Sequence, residues 1–183
     1  MAIGDGAELF LTGGLSVRAD DNIFLVENGD SDVIFDIAPG VELTFGKDSQ
    51  LKGALTATVA FSNYTDNGNL NTVLAGGDFV AKYDDGKLKL GFNTGFHEVN
   101  QNSADTRGLT RRDIWSANLT AEVEATQLTS VGTGLMFNHE SYRKATFSDS
   151  DSLTVPINLY YEWTPKIDAS FGYRYRDYQV DID

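Results

Sequence analysis

Apolar and polar residues alternate one by one along most of this chain, in segments of roughly 10–14 residues separated by clusters of Gly, Asn and Asp. In residues 34–45, for example, Phe35 and Ile37 alternate with Asp36 and Ala38. A period of two places apolar side chains on one face of a β-strand and polar ones on the other. The pattern predicts about nine strands, each near the ~9–11 residues with which a tilted strand crosses a membrane.

The connections between these segments predict an antiparallel up-and-down order. Four of them are short, and they follow Phe45, Tyr83, Val123 and Trp163. Asp85-Gly86, in the second, is a strong hairpin signal. The other four are long and polar, at 20–32, 63–71, 100–112 and 143–152. Because short and long connections alternate, we expect one rim of tight turns and one rim of long loops. The best helix candidate, residues 120–127, is short and also fits a strand.

Composition alone gives a different picture, because averages hide the alternation. The chain has 183 residues, a formal net charge of -13, 41% hydrophobic residues, no Cys and two His. Its length predicts a single domain over residues 1–183, complete or partial, and the lack of Cys excludes disulfides, thiol catalysis and Cys-zinc sites. The acidity argues against nucleic acid as a partner. No run approaches the ~18 apolar residues of a membrane helix.

Two closed forms of such a sheet remain open at this point. In a soluble, lipocalin-like barrel the apolar face turns inward, whereas in an outer-membrane barrel it meets lipid and the lumen is polar. The polar face here combines charges with small residues such as Gly14, Ala38 and Gly132, while a solvated face is richer in Lys and Glu. This favours a crowded polar lumen. The predicted pore-lining residues are Arg18, Asp36, Glu42, Lys52, Asp78, Lys82, Glu122, Glu124, Glu162, Arg174 and Arg176.

Aromatic residues on the apolar face concentrate at the two ends of the segments, with mostly Leu, Val, Ile, Ala and Gly between them. A soluble core needs no such sorting, but membrane barrels carry an aromatic girdle at each interface. The short-turn girdle is predicted to comprise Phe45, Tyr83 and Trp163. The long-loop girdle is predicted to comprise Phe35, Phe61, Phe96, Trp115, Phe137 and Tyr175.

Catalytic signals are weak in this sequence. His97 falls on the polar face and His139 on the apolar face, but neither has an acidic partner that the sequence identifies. No Ser stands in a recognisable nucleophile context. The neighbouring carboxylates Glu122 and Glu124 have acid–base chemistry as an alternative, but we expect them to pair with lumen bases. The sequence therefore predicts no enzyme, no metal site and no cofactor.

Binding signals are equally limited. The loops at 27–32, 63–69 and 148–151 are dense in oxygen ligands, and Ca²⁺ binding is an alternative to solvated turns, although none has EF-hand spacing. Arg111-Arg112 is expected to be solvated, with contact to a phosphate or an acidic glycan as the alternative.

Several segments resemble a known family. They are Ala19-Asp20-Asp21-Asn22-Ile23-Phe24-Leu25, the stretch 34–45 around Ala38-Pro39-Gly40, Tyr83-Asp84-Asp85-Gly86-Lys87 and Leu109-Thr110-Arg111-Arg112-Asp113. On these motifs the chain resembles the N-terminal half of proteins of the beta-barrel porin type 2 family, outer-membrane barrels that include members from exopolysaccharide loci. Two departures accompany the likeness. Residues 180–183 lack a terminal aromatic residue, and residues 1–5 do not resemble a signal peptide, which we expect to be removed or upstream. The odd strand count suits a fragment better than a closed bacterial barrel, which has an even number of strands.

The sequence thus predicts an antiparallel up-and-down transmembrane β-barrel, incomplete in this chain, in the outer membrane of a Gram-negative bacterium. The predicted function is a porin-like conduit for polar solutes, linked to polysaccharide export. The expected partners are outer-membrane lipid, with lipopolysaccharide or polysaccharide as further candidates, and no nucleic acid. A soluble lipocalin-like binder and a non-conducting structural or adhesive barrel are the alternatives. The sequence predicts no oligomeric state.

Overall fold

The computed structural model describes residues 6–103, 108–144, 146–164 and 166–181, and most of them belong to one antiparallel sheet. The strands are β1 (Ala7–Asp20), β2 (Asp32–Phe45), β3 (Leu51–Tyr64), β4 (Thr72–Asp84), β5 (Leu88–Ser103), β6 (Gly108–Thr126), β7 (Thr129–Tyr142), β8 (Ser150–Thr164) and β9 (Ile167–Val180). One turn of 3-10 helix, Gly68–Leu70, precedes β4. Within the described ranges, no helix has the length and apolarity that crossing a membrane requires.

Each strand pairs with its neighbours in the chain, in the order β1 to β9, so the sheet is an up-and-down meander. This confirms the predicted all-β class, the strand number and the antiparallel order. Over the described ranges, β1 and β9 do not contact each other, and the sheet is not closed.

The register of the sheet confirms the two faces that the alternation predicts. On β3, Leu55 lies directly opposite Leu43 of β2 and Phe79 of β4, while the next residue, Thr56, lies opposite Glu42 and Asp78. Directly opposite residues point to the same side of a sheet. One apolar face and one polar face therefore run across all nine strands.

One predicted connection is wrong. The strands β5 and β6 stay paired as far as Ser103 and Gly108, so most of 100–112 is strand rather than loop. Arg111 and Arg112, which the sequence predicts to be solvated, lie in β6 and each forms an ion pair with a carboxylate of a neighbouring strand. Such cross-strand pairs stabilise charged residues in a strand. In the sequence alone, where the partners are not visible, the same charges indicate a loop.

The strands are staggered relative to one another. From each strand to the next, a row of directly opposite residues moves about one residue towards the long-loop rim. An unbroken row of opposite residues begins at Leu51, the first residue of β3, and ends at Tyr173, six residues after the start of β9. One residue adds about 3.4 Å along a strand and one strand adds about 4.8 Å across the sheet. When all the short turns are placed at the same height along the barrel axis, this stagger corresponds to a strand tilt of about 35°. That value is at the lower end of the ~35–45° found in barrels.

The polar face is the concave one. A trough of about 1040 Å³ runs along it from β3 to β9. In contrast, apolar side chains in mid-sheet are exposed: Leu55 by 48%, Leu119 by 51% and Ile157 by 53%. Among the described hydrophobic residues only Ile23 and Ile34, near the long-loop rim, are buried. This arrangement is the reverse of a lipocalin, whose apolar face lines the interior.

Candidate functional site

The candidate site is the concave trough, lined by side chains from β3 through β9. Glycines lie opposite several of its charged residues: Gly91 opposite Lys82, and Gly132 opposite Glu122. Because glycine has no side chain, each leaves room for the charged group beside it. Tyr160 of β8 also projects into the trough and narrows it beside Gly132.

The register places every predicted pore-lining residue on this concave face. Two of them form a cluster near the long-loop rim, where Nε of Arg18 donates to Asp36 at 3.0 Å. The hydroxyls of Ser16 and Ser62 donate to the same carboxylate. Nearer the short-turn rim, Nζ of Lys89 donates to Glu122 at 3.0 Å. Lys89 is not among the predicted pore-lining residues. The remaining predicted pairings of lumen charges are not formed among the described residues.

Near the short-turn rim, two pairs of like charges lie in directly opposite positions. Lys52 and Lys82 lie directly opposite each other on β3 and β4, while Glu162 and Asp168 face each other on β8 and β9. In the part of the chain that the structure describes, none of these four has an ion-pair partner. Like charges in directly opposite positions destabilise a sheet. Cross-strand pairing therefore does not explain their placement.

Both histidines have acidic partners that the sequence did not identify. Nε2 of His97 lies 2.9 Å from Oδ1 of Asp78 on the concave face. Gly95 lies between them, and a Cβ there would collide with the Asp78 carboxylate. Nδ1 of His139 lies 2.8 Å from Oδ1 of Asp151 on the apolar side of the sheet. The partners are distant in sequence, so only the register of the hairpins could have predicted them.

A charged cluster lies on the apolar side beyond the long-loop aromatic row. Glu98 forms ion pairs with Arg111, at 2.8 Å, and with Arg143. Arg143 also binds Asp113 at 3.1 Å. The amide of Ala75 and, against the effect of burial, the Arg111 guanidinium keep the pKa of Glu98 below its ordinary value. The apolar face therefore ends in an ionic rim.

The aromatic girdles are only partly separated from the apolar belt. Phe96 and Trp115 of the long-loop girdle pack with ring centroids 4.7 Å apart. At the other end, Phe45 packs with Phe79 at 6.3 Å, and Phe79 with Phe92 at 6.1 Å. Phe79 and Phe92 were not among the predicted girdle residues. The strand tilt brings them close to Phe45, although they lie in mid-strand.

The acidic loops contain a structural carboxylate. Asp32 is 4% exposed and accepts hydrogen bonds from the backbone amides of residues 65–67 and from the side chain of Asn67. Burial opposes its ionisation, but the bonds from Asn67, Asp66 and Val33 lower the pKa of Asp32 to about 2. It thus attaches the loop after β3 to the start of β2. Across the described residues, no group of three or more His, Asp or Glu is placed to hold a metal ion.

Comparison with known proteins adds no relative to this picture. The porin-family resemblance therefore rests on the sequence motifs quoted above and stays a prediction. No family model, curated protein or solved structure matches the chain.

Proposed function

We propose that the protein forms part of an outer-membrane β-barrel that conducts polar solutes. The observation that carries the proposal is the curvature of the sheet: the charged face is concave and the apolar face is convex and exposed. In water, so large an exposed apolar surface is an aggregation hazard. In a bilayer the same surface contacts acyl chains, and the concave face encloses a water-filled path.

The height of the apolar belt supports this proposal. On β2, Phe35 and Phe45 mark the two aromatic rows and are ten residues apart. Ten residues span about 34 Å of strand, or about 28 Å along the barrel axis at a tilt of about 35°. The outward apolar band of membrane barrels is about 25 Å tall, and the hydrocarbon core of a bilayer is about 30 Å thick. The belt is therefore of the right height to span a bilayer.

The charges in the trough support passage of polar solutes. Opposed lysines on one side and opposed carboxylates on the other orient dipolar or charged solutes and exclude apolar ones. The link to polysaccharide export rests on the family resemblance, and a polysaccharide is the substrate class that we propose on that basis.

The decisive experiment reconstitutes the purified full-length protein, with the strands that complete the barrel, into planar lipid bilayers and records current, while heat-modifiable migration on gels reports the folded barrel. We expect stepwise conductance and a folded form that needs detergent to stay in solution. A protein that stays folded and soluble without detergent would contradict the membrane proposal. Heat-modifiable migration without conductance would instead identify a structural or adhesive barrel.

A further inference from the structure

A histidine–aspartate pair lies at the long-loop end of the apolar face. His139 of β7 is directly opposite Asp151 of β8, and the two side chains meet through Nδ1 of the imidazole at 2.8 Å. A carboxylate at Nδ1 holds the proton on that nitrogen and leaves the lone pair on Nε2. The two side chains are 34% and 45% exposed, so a reactant can reach them. The imidazole is thus oriented as a general base.

A hydroxyl group lies next to this base. Ser141 is two residues beyond His139 on β7, and alternate residues of a strand project to the same face. Their Cα atoms are about 7 Å apart, a distance across which an imidazole and a serine hydroxyl can meet after a rotamer change. Within the described ranges the hydroxyl of Ser141 forms no hydrogen bond.

The surroundings place this group at a boundary between apolar and ionic surface. Trp115, in the aromatic row, is directly opposite His139 on β6. Asp113 is directly opposite Ser141 and binds the guanidinium of Arg143. In a membrane, this boundary between aromatic row and charged rim coincides with the headgroup level of the bilayer, where the acyl ester bonds of lipids lie.

We propose that Ser141, His139 and Asp151 form a hydrolase site for lipid carboxylic esters on the outer face of the barrel. The lipid-facing position of this site rests on the proposed function. The sequence alone predicted no enzyme because the acidic partner of the histidine becomes visible only through the register of β7 and β8.

The reaction balances with the ester and water as the sole reactants. Oγ of Ser141 attacks the ester carbonyl carbon while its proton passes to Nε2 of His139. The carbonyl–alkoxy bond breaks, the alcohol leaves with that proton, and the acyl group stays on Ser141. Water then attacks the acyl carbon and gives its proton to the same nitrogen. The carboxylic acid departs as Ser141 recovers its proton. Asp151 acts as a positioning residue.

The second histidine provides a comparison within this protein. His97 bonds Asp78 through Nε2 on the concave face, and its same-face neighbours along β5 are Gly95 and Val99. That pair has no hydroxyl beside it on its own strand. The pair of His139 and Asp151 differs in two ways: the carboxylate contacts Nδ1 of the imidazole, and Ser141 lies on the same face of the same strand.

A fluorophosphonate probe tests the site without knowledge of the lipid. The hydroxyl of an activated serine displaces fluoride from phosphorus, so the labelled residue gains a stable phosphonyl mass. The purified protein in detergent micelles is treated with the probe, and mass spectrometry of its peptides locates the label. Ser141→Ala, His139→Asn and Asp151→Asn are compared with Ser152→Ala, a matched control on the opposite face of β8. Heat-modifiable migration verifies that each variant is folded.

We expect label on Ser141 in the wild type and in Ser152→Ala, none in Ser141→Ala, and labelling about 100-fold slower in His139→Asn and Asp151→Asn. The pH profile of labelling should be altered in Asp151→Asn, which a merely structural role would not produce. Absence of label on wild-type Ser141, or equal labelling in Asp151→Asn, would overturn the hydrolase site. Neither result depends on conductance, so a failed channel and a failed hydrolase remain distinguishable. The position of the label in the wild-type protein tests the proposal even if a variant misfolds.

Discussion

Replacing Leu119 and its neighbour Thr120 by arginine, one at a time, tests whether the apolar face contacts lipid. Leu119 lies on the convex face of β6, opposite Phe92 and Leu135. Thr120 is adjacent in sequence but lies on the concave face. The two substitutions therefore place the same charge at the same height on opposite faces of one strand.

The expected cost follows from the position of Leu119. It is four residues from Trp115, which corresponds to about 11 Å along the barrel axis at a tilt of about 35°. This depth is close to the middle of an apolar band about 25 Å tall, where an outward arginine costs about 2–4 kcal/mol. In water, by contrast, Leu119 is 51% exposed. Substitution of an exposed residue changes stability by about 0.5 kcal/mol or less.

The assay is urea unfolding of the protein in phosphatidylcholine vesicles, followed by the fluorescence of Trp115 and Trp163. We expect Leu119→Arg to lower the free energy of unfolding by about 2–4 kcal/mol and Thr120→Arg by less than about 1 kcal/mol. If both variants lose the same small amount, the convex face is not in hydrocarbon and the membrane proposal fails.

Three further predictions concern the long loops and the trough. Because the folded-state pKa of Asp32 is about 2, below its ordinary value, its contribution to stability is present above about pH 4 and is lost as the pH falls towards 2. The protection factors of the amides of 65–67, which are corrected for the intrinsic pH dependence of exchange, should fall over that range, and Asp32→Asn should abolish this fall; protection factors that are constant from pH 5 to 2 would contradict this role. Asp36→Asn should lower the unfolding free energy by about 1–2 kcal/mol in the same urea assay, because three donors lose a carboxylate. Glu42→Gln, whose side chain bonds to no described residue, is its control. Lys82→Glu should move the reversal potential in a salt gradient towards cation selectivity, and an unchanged potential would show that ions do not pass through the trough.

The alternation in the sequence was sufficient to predict the strands and their faces, because the backbone of a strand sends successive side chains to opposite sides. It could not predict partners across strands. The contact between His139 and Asp151 depends on which residue of β8 lies opposite β7, and composition does not specify that register. The same limitation explains why the sequence predicts a loop at 100–112: the carboxylates that bind Arg111 and Arg112 lie on neighbouring strands.

The open sheet has a consequence for how it can be closed. Since nine strands alternate in direction, β1 and β9 run the same way, from the short-turn rim to the long-loop rim. Joining them directly would create a parallel seam in a sheet whose described pairs are all antiparallel. A second copy inserted in the same orientation would not avoid this, because its β1 would run parallel to β9 of the first copy. Unpaired edges are not tolerated in hydrocarbon, so an antiparallel seam requires an odd number of additional strands, whichever chain provides them.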